Sequence, residues 1–174
     1  SSTSCSCFLL VVCAFCQLAR ISIFFFTGSN NFWKNARTAS SRSQVFCLMS
    51  DGELDEGSNW ESFLFAAHHS LNNLIVIIDK NGLQSIKSTS ETLNLEPLKE
   101  KLTAFNWEVL EINGHDIEQI YSTLNKENNA SPRCIIANTT KGKGVKFMEN
   151  NVLWHYRTAK DKEYEIAFKE LDLN

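Results

Sequence analysis

The fold is decided by the stretch Val45-Phe46-Cys47-Leu48-Met49-Ser50-Asp51-Gly52-Glu53, in which a short apolar run ends in an acidic turn. Residues 74–81, LIVIIDKN, repeat the arrangement with an amide side chain at the end. Both runs are bulky or β-branched and nearly free of polar residues, which is typical of strands buried on both faces of a parallel sheet. Asp51 and Asn81 therefore follow two strands, at the edge where open α/β sheets bind their ligands.

Helical and strand-like segments alternate along the rest of the chain. Helices are predicted over residues 56–70, 95–105 (with Pro97 in its first turn), 116–124 and 161–171. Further strands are predicted over residues 107–112, toward the margin of the sheet, and over residues 133–138. Strands separated by helices indicate an α/β fold, a parallel sheet with helices on both faces.

Length and composition indicate one domain of modest size. The 174 residues are 43% apolar and 21% charged, which provides enough apolar sequence for a buried core. The net charge of −3 and the isoelectric point of about 5.8 argue against a nucleic-acid-binding protein, which would carry a basic face. Residues 8–15 and 21–26 are apolar, but neither run is long enough to span a membrane.

Oxygen atoms of the two side chains that follow the strands suit a hard divalent cation. Mg²⁺ is usually held by one or two protein oxygens together with waters and phosphate oxygens, so Asp51 and Asn81 are candidate ligands for it. Gly52 allows the backbone to approach a ligand closely. The alternative is structural, because Asp-Gly turns after strands and loop-capping asparagines are common without a metal.

The residues around these positions resemble the thiamine-diphosphate motif of transketolases. The resemblance begins at residues 50–61, SDGELDEGSNWE, and continues in the expected order through residues 66–69, 73–84, 113–116, 141–150 and 154–157. It covers residues 44–174 without a large gap, and the chain looks most like the N-terminal chain of the split bacterial-type transketolases. Residues 147–150 and 154–155 favour transketolase over deoxyxylulose-phosphate synthase and ketoacid dehydrogenase subunits.

The resemblance implies roles for individual residues. The side chains of Asp51 and Asn81 and the backbone carbonyl of Leu83 would hold Mg²⁺, and Gly52 would offer its N–H to a phosphate oxygen of thiamine diphosphate. His155 would be the catalytic residue, a neutral imidazole that contacts cofactor and substrate and moves a proton. Without the resemblance, a lone loop histidine is more often a solvated or capping residue.

Other polar positions carry weaker signals. Residues 141–144, KGKG, lack the spacing of a phosphate-binding P-loop and are expected to form a flexible basic loop near the pocket. Glu56 either complements a helix dipole or, by the resemblance, joins a carboxylate network at a subunit interface. His68 and His69 are expected in packing or an interface, and His115 in a turn before a helix.

The implied reaction moves a two-carbon ketol unit from a ketose phosphate to an aldose phosphate, as in the pentose phosphate pathway, in the cytoplasm. In this family the glutamate that activates the cofactor lies in a pyrimidine-binding domain, which is not recognised in this chain. A transketolase C-terminal (pyrimidine-domain) chain is therefore the expected partner, in a heterotetramer or dimer of pairs that acts on sugar phosphates. The alternative is a catalytically inactive remnant that serves as a structural or interaction module.

Residues 1–43 depart from the family pattern, so the thiamine-diphosphate-binding domain is expected to comprise residues 44–174. Residues 27–29, Thr-Gly-Ser, match the start of the family's glycine-rich stretch, but residues 30–37 do not repeat its glycines. The segment is interpreted as a cleaved targeting segment, an unusual extension, or sequence outside the folded protein, with the last favoured.

Overall fold

Five parallel strands form one sheet in this computed structural model of the chain, which describes residues 44–127 and 130–172 and the backbone of residues 22–25. The strands are β1 (Ser22–Phe25), β2 (Val45–Ser50), β3 (Leu74–Lys80), β4 (Glu108–Asn113) and β5 (Arg133–Asn138). Their spatial order is β1-β2-β3-β5-β4, and every neighbouring pair is parallel. The strand predicted toward the sheet margin is thus the edge strand β4.

Helices connect the strands within the described residues. They are α1 (Gly57–His68), α2 (Thr89–Thr92), α3 (Leu98–Ala104), α4 (Ile117–Leu124) and α5 (Lys162–Asp172), with 3₁₀ turns at Asp51–Asp55 and Val152–His155. None of these helices has the length and apolar character needed to cross a bilayer.

One helix begins later than predicted, and one short helix is missing from the prediction. The helix predicted over residues 95–105 begins only at Leu98, because Pro97 has an extended backbone (φ −80°, ψ 107°) and precedes α3. The short helix α2 is missing from the prediction, although its capping box is visible in the sequence: Glu91 N donates to Ser88 Oγ and Ser88 N donates to Glu91 Oε2, both at 3.3 Å. Ser-x-x-Glu is a known signal for a helix start.

The core lies on both faces of the sheet, which confirms the predicted α/β class. On one face Cys47, Val76 and Cys134 pack with residues of α1 and α3. Phe63 of α1 stacks edge-on against Trp107, with ring centroids 4.9 Å apart. On the other face, side chains of β2, β3 and β5 pack with Ile120 of α4; the strand residues are Phe46, Leu48, Ile75, Ile77 and Ile135.

The strand β1 lies within residues 1–43, the segment that the sequence sets apart from the fold. Its backbone pairs in parallel with β2, with Ser22 opposite Val45 and Phe25 opposite Leu48. These four residues therefore belong to the sheet. The Thr-Gly-Ser match at residues 27–29 lies outside the described residues, and the domain boundary at residue 44 stays a prediction.

The register of the strands determines which polar residues meet. Ser50 of β2 lies opposite Asp79 of β3, and Lys80 of β3 lies opposite Asn138 of β5. Because neighbouring strands are parallel, the residues that follow them emerge at one edge of the sheet. Asp51 and Asn81 are therefore neighbours, as predicted from the sequence.

Candidate functional site

Asp51 is buried at the carboxyl end of β2, where it opens a 3₁₀ turn. The residue is only 2% exposed, and its Oδ2 accepts a hydrogen bond from Gly82 N at 2.7 Å. The turn is held locally, since Glu53 Oε2 accepts from Ser50 N at 2.7 Å and from Ser50 Oγ at 3.2 Å. The sequence Ser-Asp-Gly-Glu thereby directs the Asp51 carboxylate toward the loop that follows β3.

The loop that follows β3, residues 81–88, is a compact structure with its own hydrogen bonds. Asn81 Oδ1 accepts from Leu83 N at 2.9 Å, and Gly82 takes a positive φ of 75°. Leu83 forms an antiparallel bridge with Ser88, so that the loop folds back on itself. The predicted metal ligands Asn81 and Leu83 thus occupy a defined turn against Asp51, and their role as ligands stays a prediction.

The Asp51 carboxylate lies in an unfavourable electrostatic environment. Burial raises its pKa to about 6. Backbone hydrogen bonds, from Gly82 first, offset part of this effect, while the neighbouring charge of Asp79 adds to it. Asp51 makes no ion pair with any other described residue. A bound cation would therefore relieve the cost of ionising this carboxylate.

The donors at this edge fit Mg²⁺ better than a metal held by protein side chains alone. Nowhere in residues 44–127 and 130–172 do three or more His, Cys, Asp or Glu side chains form a group that could hold a metal ion. A cation at Asp51 would need amide, carbonyl, water or phosphate oxygens to complete its coordination. Mg²⁺ is commonly bound in this way, through few protein oxygens and the phosphates of a ligand.

Gly52 and the end of its 3₁₀ turn contact the same loop. A Cβ on Gly52 would lie 3.4 Å from Cγ of Gln84, whose stem covers the glycine. Gln84 Nε2 donates to Asp55 Oδ2 at 2.8 Å. Asp55 Oδ1 and Asn59 Oδ1 are buried and have no hydrogen-bond partner among the described residues. Unpaired buried oxygens are rare in folded proteins and often mark functional regions.

His155 lies at the end of the second 3₁₀ turn, beside the same loop. Its Nε2 is 3.3 Å from Ser85 Oγ. Partial burial lowers its pKa, and the positive charge of Lys141 lowers it further, so the imidazole is neutral near pH 7. The turn is anchored by Trp154, whose Nε1 donates to Phe147 O at 3.0 Å. Asp51, Asn81 and His155 are thus arranged around one loop.

Lys141 belongs to the basic loop that the sequence predicts near the pocket, but its burial is not predicted. The predicted flexible basic loop is instead compact, with Asn150 N donating to Lys141 O at 3.0 Å. Lys141 is only 8% exposed, and its charge acts on His155. Gly142 has a φ of 74°, and a Cβ there would lie 2.6 Å from Met148 O. The glycine spacing signals a tight turn, but burial of the lysine depends on tertiary packing.

The remaining histidines and Glu56 have simpler environments. His115 Nε2 accepts a hydrogen bond from Thr140 N at 2.7 Å, so it supports the turn before α4. His68 and His69 are exposed at the end of α1, and their rings contact each other with centroids 4.9 Å apart. Glu56 is exposed and precedes α1. The carboxylate network expected at Glu56 stays a prediction.

Comparison with protein families identifies one match over most of the chain. Residues 21–174 match the family described as "Transketolase, thiamine diphosphate binding domain". The match begins before residue 44 and includes β1.

Individual relatives agree with this match. The chain is 44% identical over 137 residues to an apulose-4-phosphate transketolase subunit of Actinobacillus succinogenes, a match that covers 78% of this chain and 50% of that protein. It is 34% identical over 128 residues to human transketolase, covering 74% of this chain and 20% of the human protein. The chain spans about half the length of the apulose-4-phosphate transketolase subunits that it matches.

Solved structures show the same fold. Transketolase of Campylobacter jejuni superposes with a TM-score of 0.70 at 32% identity, covering 74% of this chain and 20% of that chain. Transketolase of Pichia stipitis superposes with a TM-score of 0.69 at 23% identity, covering 75% of this chain and 20% of that one.

Proposed function

The chain belongs to the transketolase family, of which it carries the thiamine diphosphate binding domain, and from this premise we propose that it binds thiamine diphosphate through Mg²⁺. The proposed reaction is transfer of a two-carbon ketol unit between sugar phosphates. The observation that carries the proposal is the buried Asp51 carboxylate, which has no ion-pair partner among the described residues and lies against the turn of Asn81.

Three residues would hold the metal. Asp51 contributes a carboxylate oxygen and Asn81 an amide oxygen, while Leu83 contributes its backbone carbonyl. Asn81 Oδ1 already accepts from Leu83 N, and an amide oxygen has a second lone pair for a cation. Mg²⁺ would neutralise the charge that burial makes costly at Asp51 and would bridge the chain to the diphosphate.

Two further groups suit the diphosphate. Gly52 presents backbone without a side chain, so that its N–H can approach a phosphate oxygen closely. Lys141 places a buried positive charge at the same edge of the sheet, where it already acts on His155. Because this charge lies beside His155, we include the Lys141 ammonium among the groups that bind the diphosphate.

His155 would be the catalytic residue of this chain. When bound, thiamine diphosphate supplies the nucleophilic carbon for ketol transfer. The His155 imidazole, held neutral by partial burial and by Lys141, would accept and return a proton at a substrate hydroxyl through Nε2. Ser85 Oγ, 3.3 Å from Nε2, fixes the direction of the ring until substrate displaces it.

The proposed partner is a transketolase C-terminal chain with the pyrimidine domain, in a heterotetramer or a dimer of pairs. Support comes from relatives that are themselves named as transketolase subunits. Those proteins are named for apulose 4-phosphate, and another relative is named for 6-deoxy-6-sulfo-D-fructose. We propose sugar phosphates as the substrate class, in line with the first of these names, with the pentose phosphate pathway and the cytoplasm as the setting and residues 44–174 as the binding domain.

Calorimetric titration with thiamine diphosphate and Mg²⁺ tests this proposal, with and without the partner chain. We expect Mg²⁺-dependent binding when the partner is present and none for Asp51→Asn, while Asp161→Asn, a change at an exposed aspartate, binds normally. Absence of binding by the wild-type complex would favour the alternative, an inactive remnant of the fold. Turnover of xylulose 5-phosphate with ribose 5-phosphate by the chain alone would contradict the need for a partner.

A further inference from the structure

One pair of side chains links the 3₁₀ turn Asp51–Asp55 to the loop of residues 81–88. Neither side chain has a role in the function proposed above. Gln84 Nε2 donates to Asp55 Oδ2 at 2.8 Å, although the residues are 29 positions apart. Asp55 ends the 3₁₀ turn that Asp51 opens. Gln84 directly follows Leu83, whose carbonyl is one of the proposed metal ligands. We name this pair the Gln84–Asp55 clasp.

The clasp closes a ring between the turn and the loop. At one end Asp51 Oδ2 accepts from Gly82 N at 2.7 Å, and at the other end Asp55 Oδ2 accepts from Gln84 Nε2 at 2.8 Å. The stem of Gln84 lies over Gly52 between these two bonds. Leu83 therefore stands between two fixed residues, Gly82 and Gln84, and the direction of its carbonyl depends on both attachments.

The chemistry of Asp55 favours a strong attachment. A carboxylate acceptor makes a stronger hydrogen bond to an amide N–H than a neutral oxygen does. Its second oxygen, Oδ1, is buried and has no partner among the described residues, which is an unfavourable arrangement for folding alone. A group that is kept at a cost to folding is expected where it serves a site.

We propose that Gln84 and Asp55 are positioning residues, which hold the Leu83 carbonyl and the Asn81 turn in the geometry that Mg²⁺ requires. The proposal rests on the proposed function, since it concerns the same metal. Neither side chain is itself a ligand of the metal. The clasp acts by ordering the loop before the metal binds, so that less freedom is lost on binding.

A double-mutant cycle on the full chain tests the clasp, with Gln84→Ala, Asp55→Ala and the double variant. The first readout is hydrogen exchange without ligand at the amides of Gly82, Leu83 and Gln84, which are bonded within the site or the loop. The second is the Mg²⁺ dissociation constant with thiamine diphosphate and the partner chain present. We expect faster exchange and Mg²⁺ binding weaker by on the order of tenfold in each single variant.

The double variant is expected to bind Mg²⁺ no more weakly than either single variant, because each change removes the same hydrogen bond. Asp55→Asn keeps an acceptor and should retain most of the affinity. Gln84→Glu would face Asp55 with a like charge and should bind Mg²⁺ worse than Gln84→Ala. Combining Gln84→Glu with Asp55→Asn restores a donor and an acceptor, and it should recover affinity.

A matched control is available on α4, where Gln119 Nε2 donates to Asp116 Oδ2 at 2.7 Å. Gln119→Ala breaks a bond of the same kind and should leave both readouts unchanged. Unchanged exchange and affinity in Gln84→Ala, or additive losses in the double variant, would overturn the clasp. If the wild-type complex itself bound no Mg²⁺ and thiamine diphosphate, the proposed function would fail instead, and normal binding by Gln84→Ala would overturn only the clasp.

Discussion

Buried charges are compensated differently at the amino edge of the sheet, where the parallel strands begin, and at its carboxyl edge, where they end. At the amino edge, Arg133 begins β5 and is only 1% exposed, yet each guanidinium nitrogen has a partner. Its Nε donates to Glu108 Oε2 at 2.9 Å, and its two Nη atoms donate to the carbonyls of Lys126 and Glu127. At the carboxyl edge, Asp51 is 2% exposed and has no cationic partner among the described residues.

The pKa values of Glu108 at the amino edge and Asp51 at the carboxyl edge show this difference. Burial raises the pKa of Glu108, but hydrogen bonds and charges from Lys126 and Arg133 outweigh it and hold the pKa below its ordinary value. Burial raises the pKa of Asp51 to about 6, and no cation among the described residues counteracts it. The amino edge therefore stabilises the fold by itself, whereas the carboxyl edge keeps a buried carboxylate without a cationic partner among the described residues, where we propose that Mg²⁺ binds.

The largest expected effect is on turnover at the carboxyl edge. His155→Ala should lower turnover by the complex with the partner chain by about 100-fold or more, because it removes the proposed proton-transfer group. Since His155 is exposed, the free energy of unfolding should change by less than about 0.5 kcal/mol. Steady-state kinetics and urea unfolding measure the two quantities. His68→Ala, at an exposed histidine of α1, is the control, and equal losses in both variants would remove His155 from the site.

Arg133→Met should have the converse effect at the amino edge. The change leaves Glu108 paired only with Lys126 and leaves the carbonyls of Lys126 and Glu127 without their donor, so the free energy of unfolding should fall by about 3 kcal/mol. Cofactor affinity of the folded protein should not change. Lys126→Met removes a half-exposed partner of the same glutamate and should cost less than about 1 kcal/mol. A similar cost for both variants would show that burial does not distinguish the two cations.

Gly142→Ala tests the loop that buries Lys141. The positive φ and the close Met148 carbonyl should make alanine unfavourable by roughly 2 kcal/mol, measured by urea unfolding. Gly57→Ala is the matched control, because no atom lies within 4 Å of a Cβ there and its φ is not positive. If both variants were equally stable, the loop at this edge would not be constrained as described.

The pH dependence of stability should separate the two edges, with an effect no larger than that of Gly142→Ala. The protonated Asp51 carboxyl favours the folded state; this contribution is complete below 3.8, the ordinary pKa, and is lost as pH rises through about 6. Asp51→Asn should therefore exceed the metal-free wild type in stability by about 2 kcal/mol above pH 6, and the gap should close toward pH 4. A gap that is independent of pH would contradict an ionised, unpaired Asp51.

The contribution of Glu108 to stability changes with pH in the opposite direction. Its pKa is lowered in the folded protein, so its contribution is present above the ordinary value of 4.5 and is lost as pH falls through the lower folded value. Glu108→Gln should accordingly differ most from wild type near neutral pH and least in acid, with the variant the less stable protein.

Much of the fold is predictable because the central strands consist almost entirely of apolar residues, which indicates that they are buried. The apolar runs of β2, β3 and β5 identify a parallel sheet, and its register brings Asp51 and Asn81 together. The start of α3 was misplaced because Pro97 can lie either in the first turn of a helix or before it. β1 is not predicted because its short apolar run lies within residues 1–43, which depart from the family pattern.

The site was only partly predictable, since some of its features arise from tertiary contacts. Asp51, Gly52, Asn81, Leu83 and His155 were named from the sequence, and the structure arranges them around one loop. Burial of Lys141 and formation of the Gln84–Asp55 clasp depend on how the loops pack against each other. The spacing of residues in the sequence does not indicate this packing. Sequence patterns locate side chains along the chain, but contacts between loops determine their surroundings.

Thermal unfolding of the wild type and Asp51→Asn, each with the partner chain, most directly tests whether the carboxyl edge is built for a cation. The measurement is made at a pH well above 6, with and without Mg²⁺ and thiamine diphosphate. The wild type should gain several degrees on addition of the ligands, because a ligand at about 100 times its Kd adds about 2.7 kcal/mol. Asp51→Asn should melt higher than the wild type without ligands and gain nothing from them. An equal gain in both proteins, or a variant less stable than the metal-free wild type, would contradict a carboxyl edge built for a cation.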